Sequence, residues 1–383
     1  MQANYSAALA PRRRTPRQLP PRLSPWRRAK RITLIVLVLC ALPTTISYVS
    51  TISGPSNSSF VIRSFEWLRD HGAAGIASSV EGFYYTLTAP STGGSPLRTL
   101  PLRLRTPVIP TVHPPNVAPV ITPALRGEGI WVPTETWSGA GSPVQITQFR
   151  SDANYPQMVA GVAWINTKLA RVVLNPGRLE PSVSLPRGSM DVPQDARSRL
   201  LATFNSAFKL EDSGGGGVAV GGQTYAPMRP GLATIIGSND GSVDVRSWSG
   251  GSAVPLGVAF ARQNLPLIVD HGSPNPNLSD GPEWGATLGN AVRVWRSGVG
   301  VDAAGDLIYA AANDQTVGSL AEVLIRAGAV RAMELDINSY WVTFISYGQQ
   351  FAGAPSSLLP SMTRDPGRYL TPDDRDFFSV YLR

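Results

Sequence analysis

"VRVWRSGVGVDAAGDLIYAAANDQTVGSLAEVLIRAGAVRAMELDIN", residues 292–338, decides how this chain is read. Its first half places two apolar runs on either side of Ala304-Gly305 and predicts an antiparallel strand pair over 292–314. A helix follows. Ser319 stands where an N-cap belongs, with Glu322 three residues on as its capping-box partner; Leu320, Val323, Leu324 and Ala327 share a face, and Gly328 ends the run. "VRAMELDIN" then alternates as a strand, with Glu334, Asp336 and Asn338 on one face and Met333, Leu335 and Ile337 on the other. Two carboxylates and an amide at a strand end form a candidate site.

Upstream the same grammar repeats. Residues 159–177 predict a hairpin turning near Asn166, 218–227 one turning at Gly221-Gly222, and 232–248 one turning through Asn239, Asp240 and Gly241. The fold class expected for 126–383 is therefore α+β, a mostly antiparallel or mixed β-sheet with a few packed helices.

The N-terminal part differs in kind. Nine basic residues and no acid fall within 1–31, outweighing the whole net charge of +8, so the rest of the chain is close to neutral and a nucleic-acid partner is not expected. Residues 32–52, "ITLIVLVLCALPTTISYVSTI", carry no charge and are long enough to cross a bilayer as a helix. Positive residues crowd only the N-terminal side, which predicts a single-pass protein with 1–31 as a cytoplasmic arm and everything beyond 52 outside the cell membrane. The alternatives are a cleaved signal peptide, for which no A-x-A site follows, and a lipoprotein at Cys40, where Leu39 is bulky for the purpose. Cys40 is the only cysteine, so the exported part can form neither a disulfide nor a thiolate metal site. Residues 53–89 read as a juxtamembrane helical region, with Phe60, Ile62, Phe65, Trp67 and Leu68 near helical spacing before Gly72. Residues 90–125 hold nine prolines and read as an extended spacer that sets the last domain off the membrane.

Chemistry is invited elsewhere too. "FNSAFKLEDSGGGG", 204–217, contains a Ser-x-x-Lys pair, Ser206 and Lys209, but a serine acyl-enzyme of that kind also needs a K-T-G strand and an S-x-N loop, which are missing. The glycines lack the Lys-Ser/Thr of a phosphate loop and read as a flexible turn. His71, His113 and His271 are far apart, without metal-ligand spacing. Asp270, Asp336 and Glu334 leave room for a divalent cation such as calcium, though no cofactor is required by the sequence.

Taken together, "WRSGVGVDAAGDLIYAAAND" and "GSLAEVLIRAGAVRAMELDINSYW" resemble the stretch of the phosphodiester glycosidase family that reads R-[ST]-A-I-G-x-D, strand, helix, L-D-G-G-G-S, while "ATFNSAFK" sits where that family has N-G-G-[FY]-F. The resemblance covers about 126–350. Ser206-Ala207 and Ile337, Asn338 and Ser339 replace family glycines, which permit close approach of a ligand to the backbone. The resemblance implies cleavage of the sugar C1–oxygen bond of a sugar-1-phosphodiester in a cell-envelope glycan or glycolipid, in a membrane-anchored bacterial branch of actinobacterial type. It also implies roles: Asp336 as base or cation stabiliser, Arg296 with Ser297 as phosphate clamp, Asn205 orienting sugar hydroxyls and Glu334 as a second acid or base. Asn338, Lys209 and His271 complete the expected substrate contacts. From the residues alone, Asp336 binding a turn amide, Asn205 as a turn residue and Glu334 paired with Arg331 or Arg326 stay open, as does an inactive glycan-binding module on the same fold.

Overall fold

The computed structural model describes residues 24–73, 92–93, 95–102, 113–134, 141–279, 281–287, 291–348 and 354–383. Most of the basic arm, the second half of the juxtamembrane region and much of the proline-rich spacer lie outside them. The chain divides into two compact units, Met1–Ser53 and Gly54–Arg383.

Among its described residues the first unit holds one helix, α1, Pro25–Ser53, apolar and long enough to span a membrane. It begins seven residues before the uncharged run, because Arg27, Arg28, Lys30 and Arg31 are good helix formers. Pro43 lies inside it. Thr44 and Thr45 turn their hydroxyls back to the carbonyls of Cys40 and Ala41 at 3.2 and 2.8 Å, the way a helix hides hydroxyls from lipid.

The second unit begins with α2, Phe60–Leu68, capped by Ser59, whose Oγ accepts from the Ile62 amide at 3.4 Å. A turn over Arg69–Ala73 follows, with Gly72 at φ 90°. The domain boundary expected at 126 falls inside this unit. Val117 is buried in the core, and Arg150 donates to the carbonyls of Ile121 and Pro123 while pairing with buried Glu128 at 2.8 Å.

Among the described residues, three antiparallel sheets build the rest. The largest runs β1-β2-β3-β14-β13-β15-β11-β12, where β1 is Val132–Pro133, β2 Val144–Arg150, β3 Val159–Ile165, β11 Val269–Asp270, β12 Ser273–Pro274, β13 Val294–Val301, β14 Leu307–Gln315 and β15 Arg331–Glu334. The second runs β17-β16-β5-β18-β4, with β4 Ala170–Asn175, β5 Leu200–Asn205, β16 Phe344–Ser346, β17 Ser356–Ser357 and β18 Phe377–Leu382. The third runs β7-β6-β10-β8-β9, with β6 Val218–Val220, β7 Gln223–Ala226, β8 Ala233–Ser238, β9 Val243–Ser247 and β10 Val258–Gln263. Every adjacent pair among the described strands is antiparallel.

The central strands of the large sheet are buried on both faces, which is why β14 reads as a continuous apolar run rather than an alternation. Its Leu307, Tyr309 and Ala311 join the main core shared with the other two sheets; Ile308, Ala310 and Ala312 join the core under helix α3, Val317–Arg326. Glycine in β13 lets α3 settle close. A Cβ on Gly298 would stand 2.9 Å from Leu324 Cδ1 and 3.0 Å from the Met333 carbonyl.

Two expectations are corrected here. Residues 159–177 do turn at Asn166, but β3 pairs with β2 and β14 while β4 pairs with β18, so the turn carries the chain between sheets instead of closing a hairpin. The α3 cap is Thr316, not Ser319: the helix starts three residues earlier, Thr316 Oγ1 accepts from the Ser319 amide at 3.0 Å, Ser319 Oγ accepts from the Thr316 amide at 2.9 Å, and Glu322 is exposed. The hairpins at 221–222, 239–241 and 304–305 form as expected.

Candidate active site

β13 and β15 lie side by side, with Gly298 opposite Glu334. Past Glu334 the chain leaves regular strand, yet two backbone bonds continue the pairing: the Leu335 amide donates to the Ser297 carbonyl at 2.8 Å and the Ser297 amide to the Asp336 carbonyl at 3.0 Å. Ser297 Oγ fastens the same residue from the side, donating to the Asp336 carbonyl at 2.8 Å and accepting from its amide at 3.2 Å. Asn205, at the end of β5, reaches Ser297 Oγ with Nδ2 at 3.0 Å. Its Oδ1 accepts from Tyr309 Oη at 2.9 Å and from the Thr343 amide at 3.0 Å. Asn205, Ser297 and the Asp336 backbone thus form one buried network that fixes where Asp336 leaves the sheet.

The Asp336 side chain lines a cavity of about 520 Å³. Its Oδ2 accepts from Arg375 Nη2 at 2.9 Å and its Oδ1 from the Asn338 amide at 2.9 Å, so the turn-amide reading of this aspartate and its place in a cavity hold together. Burial pushes the Asp336 carboxyl above its ordinary value, and the Arg375 guanidinium and the Asn338 amide pull it back only in part. Arg375 is reinforced in its charge: burial opposes it, but Asp336 and then Glu180 outweigh that cost and raise it. Its Nη2 also donates to the Ala207 carbonyl at 3.1 Å, tying the loop after β5 to Asp336.

Lys209 lines the same cavity and is held by α2 and the turn after it. Its Nζ lies 2.8 Å from Asp70 Oδ1 and 3.2 Å from Glu66 Oε2, and Arg69 donates to Glu66 at 2.9 Å. Among the described residues the wall therefore carries three cations, Arg69, Lys209 and Arg375, beside the carboxylates of Asp70, Glu211, Asp212 and Asp336. Asn338 and Trp341 complete this side.

The other residues singled out from sequence sit elsewhere. Arg296, expected to clamp a phosphate, points away from the cavity lining; its Nη1 pairs with Glu334 Oε1 at 2.5 Å and donates to the Trp284 carbonyl, and its Nε donates to the Gln315 carbonyl. The reason is strand alternation, since Ser297 already faces Asp336 and its neighbour must face the other side. Glu334 is consequently committed to Arg296 rather than to Arg331, which pairs with Asp244. Burial pushes Glu334 up to about 7 despite that pair. Asn205 and Ser297 are likewise absent from the cavity lining. His271 stands at the β11–β12 turn with φ 50°, its side chain 93% exposed beside Asp270, and it does not line the cavity. Among the described residues no three metal-ligating side chains come together, so Asp270, Asp336 and Glu334 do not assemble as a cation site. Ser206 is buried and Lys209 is paired with acids, so the Ser-x-x-Lys spacing does not join a nucleophile to a base. The glycine run is packed at its end, where the Gly217 amide donates to Gln263 Oε1 at 2.8 Å and a Cβ would lie 2.6 Å from Met228 Cα, and open at its start, where a Cβ on Gly214 would meet nothing within 4 Å among the described residues.

Arg375, Trp341 and Arg69 were not found from sequence. Arg375 hides in "DDRD", 373–376, which reads as a solvated charge run, although one arginine among three aspartates just before an apolar strand is a signal that some of them are buried in pairs.

No protein-family model and no curated protein sequence matches the chain. Solved structures do. The zebrafish N-acetylglucosamine-1-phosphodiester alpha-N-acetylglucosaminidase catalytic domain, auto-inhibited by its pro-peptide, is 15% identical, with 65% of this chain and 87% of that one covered and a TM-score of 0.43. A hypothetical protein from Synechocystis is 16% identical over 63% of this chain and 62% of its own, at a TM-score of 0.37. An exported protein from Burkholderia pseudomallei is 12% identical over 58% and 74%, at 0.34. These are distant likenesses of fold.

Proposed function

We propose that the chain is a single-pass membrane protein, N-terminus in the cytoplasm, whose exported domain hydrolyses a sugar-1-phosphodiester of a cell-envelope glycan or glycolipid. The observation that carries this reading is the Asp336 carboxylate, fixed by Arg375 and the Asn338 amide in the wall of a cavity that also presents Lys209 and Arg69. The motif resemblance around 296–336 supports it.

Phosphate leaves readily without a proton, so one carboxylate and a set of cations suffice where ordinary glycosidases use two carboxylic groups. The C1–oxygen bond breaks with its electron pair staying on the phosphate oxygen, and Lys209 and Arg69 take up the developing charge. Asp336 stabilises the oxocarbenium-like carbon and accepts the proton of the water that adds to it, passing that proton on to solvent. The products are a free sugar and a phosphomonoester. For this, Lys209 exchanges Asp70 and Glu66 for the phosphate. The buried network of Asn205 and Ser297 acts as a positioning scaffold, and Arg296 with Glu334 as a structural pair behind it.

The second reading, a glycan-binding module without turnover, is favoured by one observation: of Asp336, Arg296, Asn205 and Glu334, Asp336 alone lines the cavity. The two are separated by incubating the full-length protein in detergent with a panel of sugar-1-phosphodiesters. Hydrolysis that falls about 10²-fold or more in Asp336→Asn supports the enzyme. Binding of the same ligands by both proteins, with no free sugar released, selects the module.

A further inference from the structure

The two faces of α2 have different surroundings. Glu66 pairs with Lys209 at the cavity wall, whereas Phe60, Val61 and Leu68 are 63%, 71% and 46% exposed. At about 100° per residue these three fall within a single arc of roughly 100°, so the exposed apolar atoms form one stripe. An apolar stripe on a surface helix marks a surface made to be covered.

What covers it follows from the covalent connection. Residues 54–59 join the apolar helix α1 to α2, and a six-residue chain spans at most roughly 20 Å. Those residues are not a slack leash. Ser58 is buried, Asn57 Nδ2 donates to the Arg368 carbonyl at 2.5 Å and to Asp373 at 3.1 Å, and Ser56 Oγ donates to Asp374 at 2.6 Å. The charge on α2 is balanced, Arg63 against Glu66, so neither an acidic nor a basic protein surface is selected. We propose that α2 is an interfacial helix: Phe60, Val61 and Leu68 seat at the boundary between headgroups and acyl chains of the bilayer that α1 crosses. Three side chains adhere weakly alone, but the tether makes the contact intramolecular. The turn that follows α2 supplies Arg69 and Asp70 to the cavity, so the docked helix holds the cavity at headgroup level, where the anionic groups of lipid-borne ligands lie. The docking does not depend on the reaction proposed above.

The test uses the full-length protein in vesicles of equal parts phosphatidylethanolamine and phosphatidylglycerol. In a Cys40→Ser background, an environment-sensitive dye is placed through Phe60→Cys, Leu68→Cys or, as the reference, Leu256→Cys, a fully exposed loop position. Spin-labelled lipid is expected to quench the dyes at 60 and 68 severalfold more than the reference, and aqueous iodide severalfold less. Adding Val61→Asp is expected to return the dye at 68 to iodide. Dyes at 60 and 68 that behave like the reference overturn the proposal, and so does shielding from both quenchers, which would mean that a second copy or another protein covers the stripe. An unmoved signal with Val61→Asp overturns it as well. The lipid signal is expected unchanged in Asp336→Asn, so absence of docking and absence of hydrolysis are separate results.

Discussion

Replacing Asn205 by alanine separates a residue that holds the site from one that acts in it. The amide makes four bonds: it accepts from Tyr309 Oη and the Thr343 amide and donates to Ser297 Oγ and the Ser206 carbonyl. Truncation does not orphan all four partners. Tyr309 Oη also reaches the Thr343 carbonyl at 3.2 Å, and Ser297 Oγ keeps both of its bonds to the Asp336 backbone. The Thr343 amide and the Ser206 carbonyl lose this partner, and an unsatisfied buried group costs about 1–3 kcal/mol, so the expected loss is about 2–6 kcal/mol. Urea unfolding followed by tryptophan fluorescence measures it, with the midpoint moving at unchanged slope. Asp336→Asn is the contrast: it keeps the shape but leaves the buried Arg375 guanidinium without its carboxylate, so it is expected to lower the midpoint as well and, unlike Asn205→Ala, to abolish turnover in the protein that is still folded. Asn205→Ala, assayed where it is still folded, is expected to lose far less than the ~10²-fold that removal of a reacting group costs. An Asn205→Ala protein as stable as wild type but unable to bind ligand would refute the scaffold role and return this amide to the substrate.

The remaining predictions probe the fold and its ionisation. Thr316→Ala is expected to lower the unfolding midpoint by the equivalent of about 1 kcal/mol, and Glu322→Ala to leave it unchanged, because the cap is Thr316 with Ser319. Gly298→Ala drives a Cβ against Leu324 and the Met333 carbonyl and is expected to cost about 1–3 kcal/mol in urea unfolding. Arg150→Ala strands the buried Glu128 carboxylate and is expected to cost about 3–5 kcal/mol in the same measurement. Glu334 gives a pH signature: its folded value of about 7 lies above the ordinary 4.5, so the native state holds the proton more tightly, and this contribution is full below about pH 4.5 and is lost as pH rises through 7. Relative to wild type, Glu334→Gln is expected to gain up to about 3 kcal/mol between pH 4.5 and 8, read from unfolding curves across that range.

Local order was legible wherever one hairpin or one helix decides it. The turns at 221–222, 239–241 and 304–305 and the helix starting at Phe60 follow from turn residues and periodicity alone. The 159–177 segment misled because a turn says only that the chain reverses; β3 finds β2 and β14, and β4 finds β18, through contacts that no local pattern encodes. At the site, Asp336 was visible as a carboxylate at a strand end. Arg296 reads as a substrate contact because sequence does not show what its side chain meets, and in the fold Glu334 and the carbonyls of Trp284 and Gln315 take up its guanidinium. Arg69 and Arg375 stayed hidden because the cavity wall gathers residues near 70, 209, 336 and 375, brought together only by the closed fold.

The placement of β18 governs how the molecule can assemble. It lies between β5 and β4, whose residues precede it by about 170 to 210 positions, and it is the partner through which those two strands share a sheet. Such a high contact order makes folding slow, and early segments emerging from a ribosome or a translocation channel have no finished sheet to join. Until Phe377–Leu382 arrives, β4 and one side of β5 are open edges that invite mispairing, so premature termination anywhere before that hexapeptide leaves an aggregation-prone nascent chain rather than a smaller version of the domain.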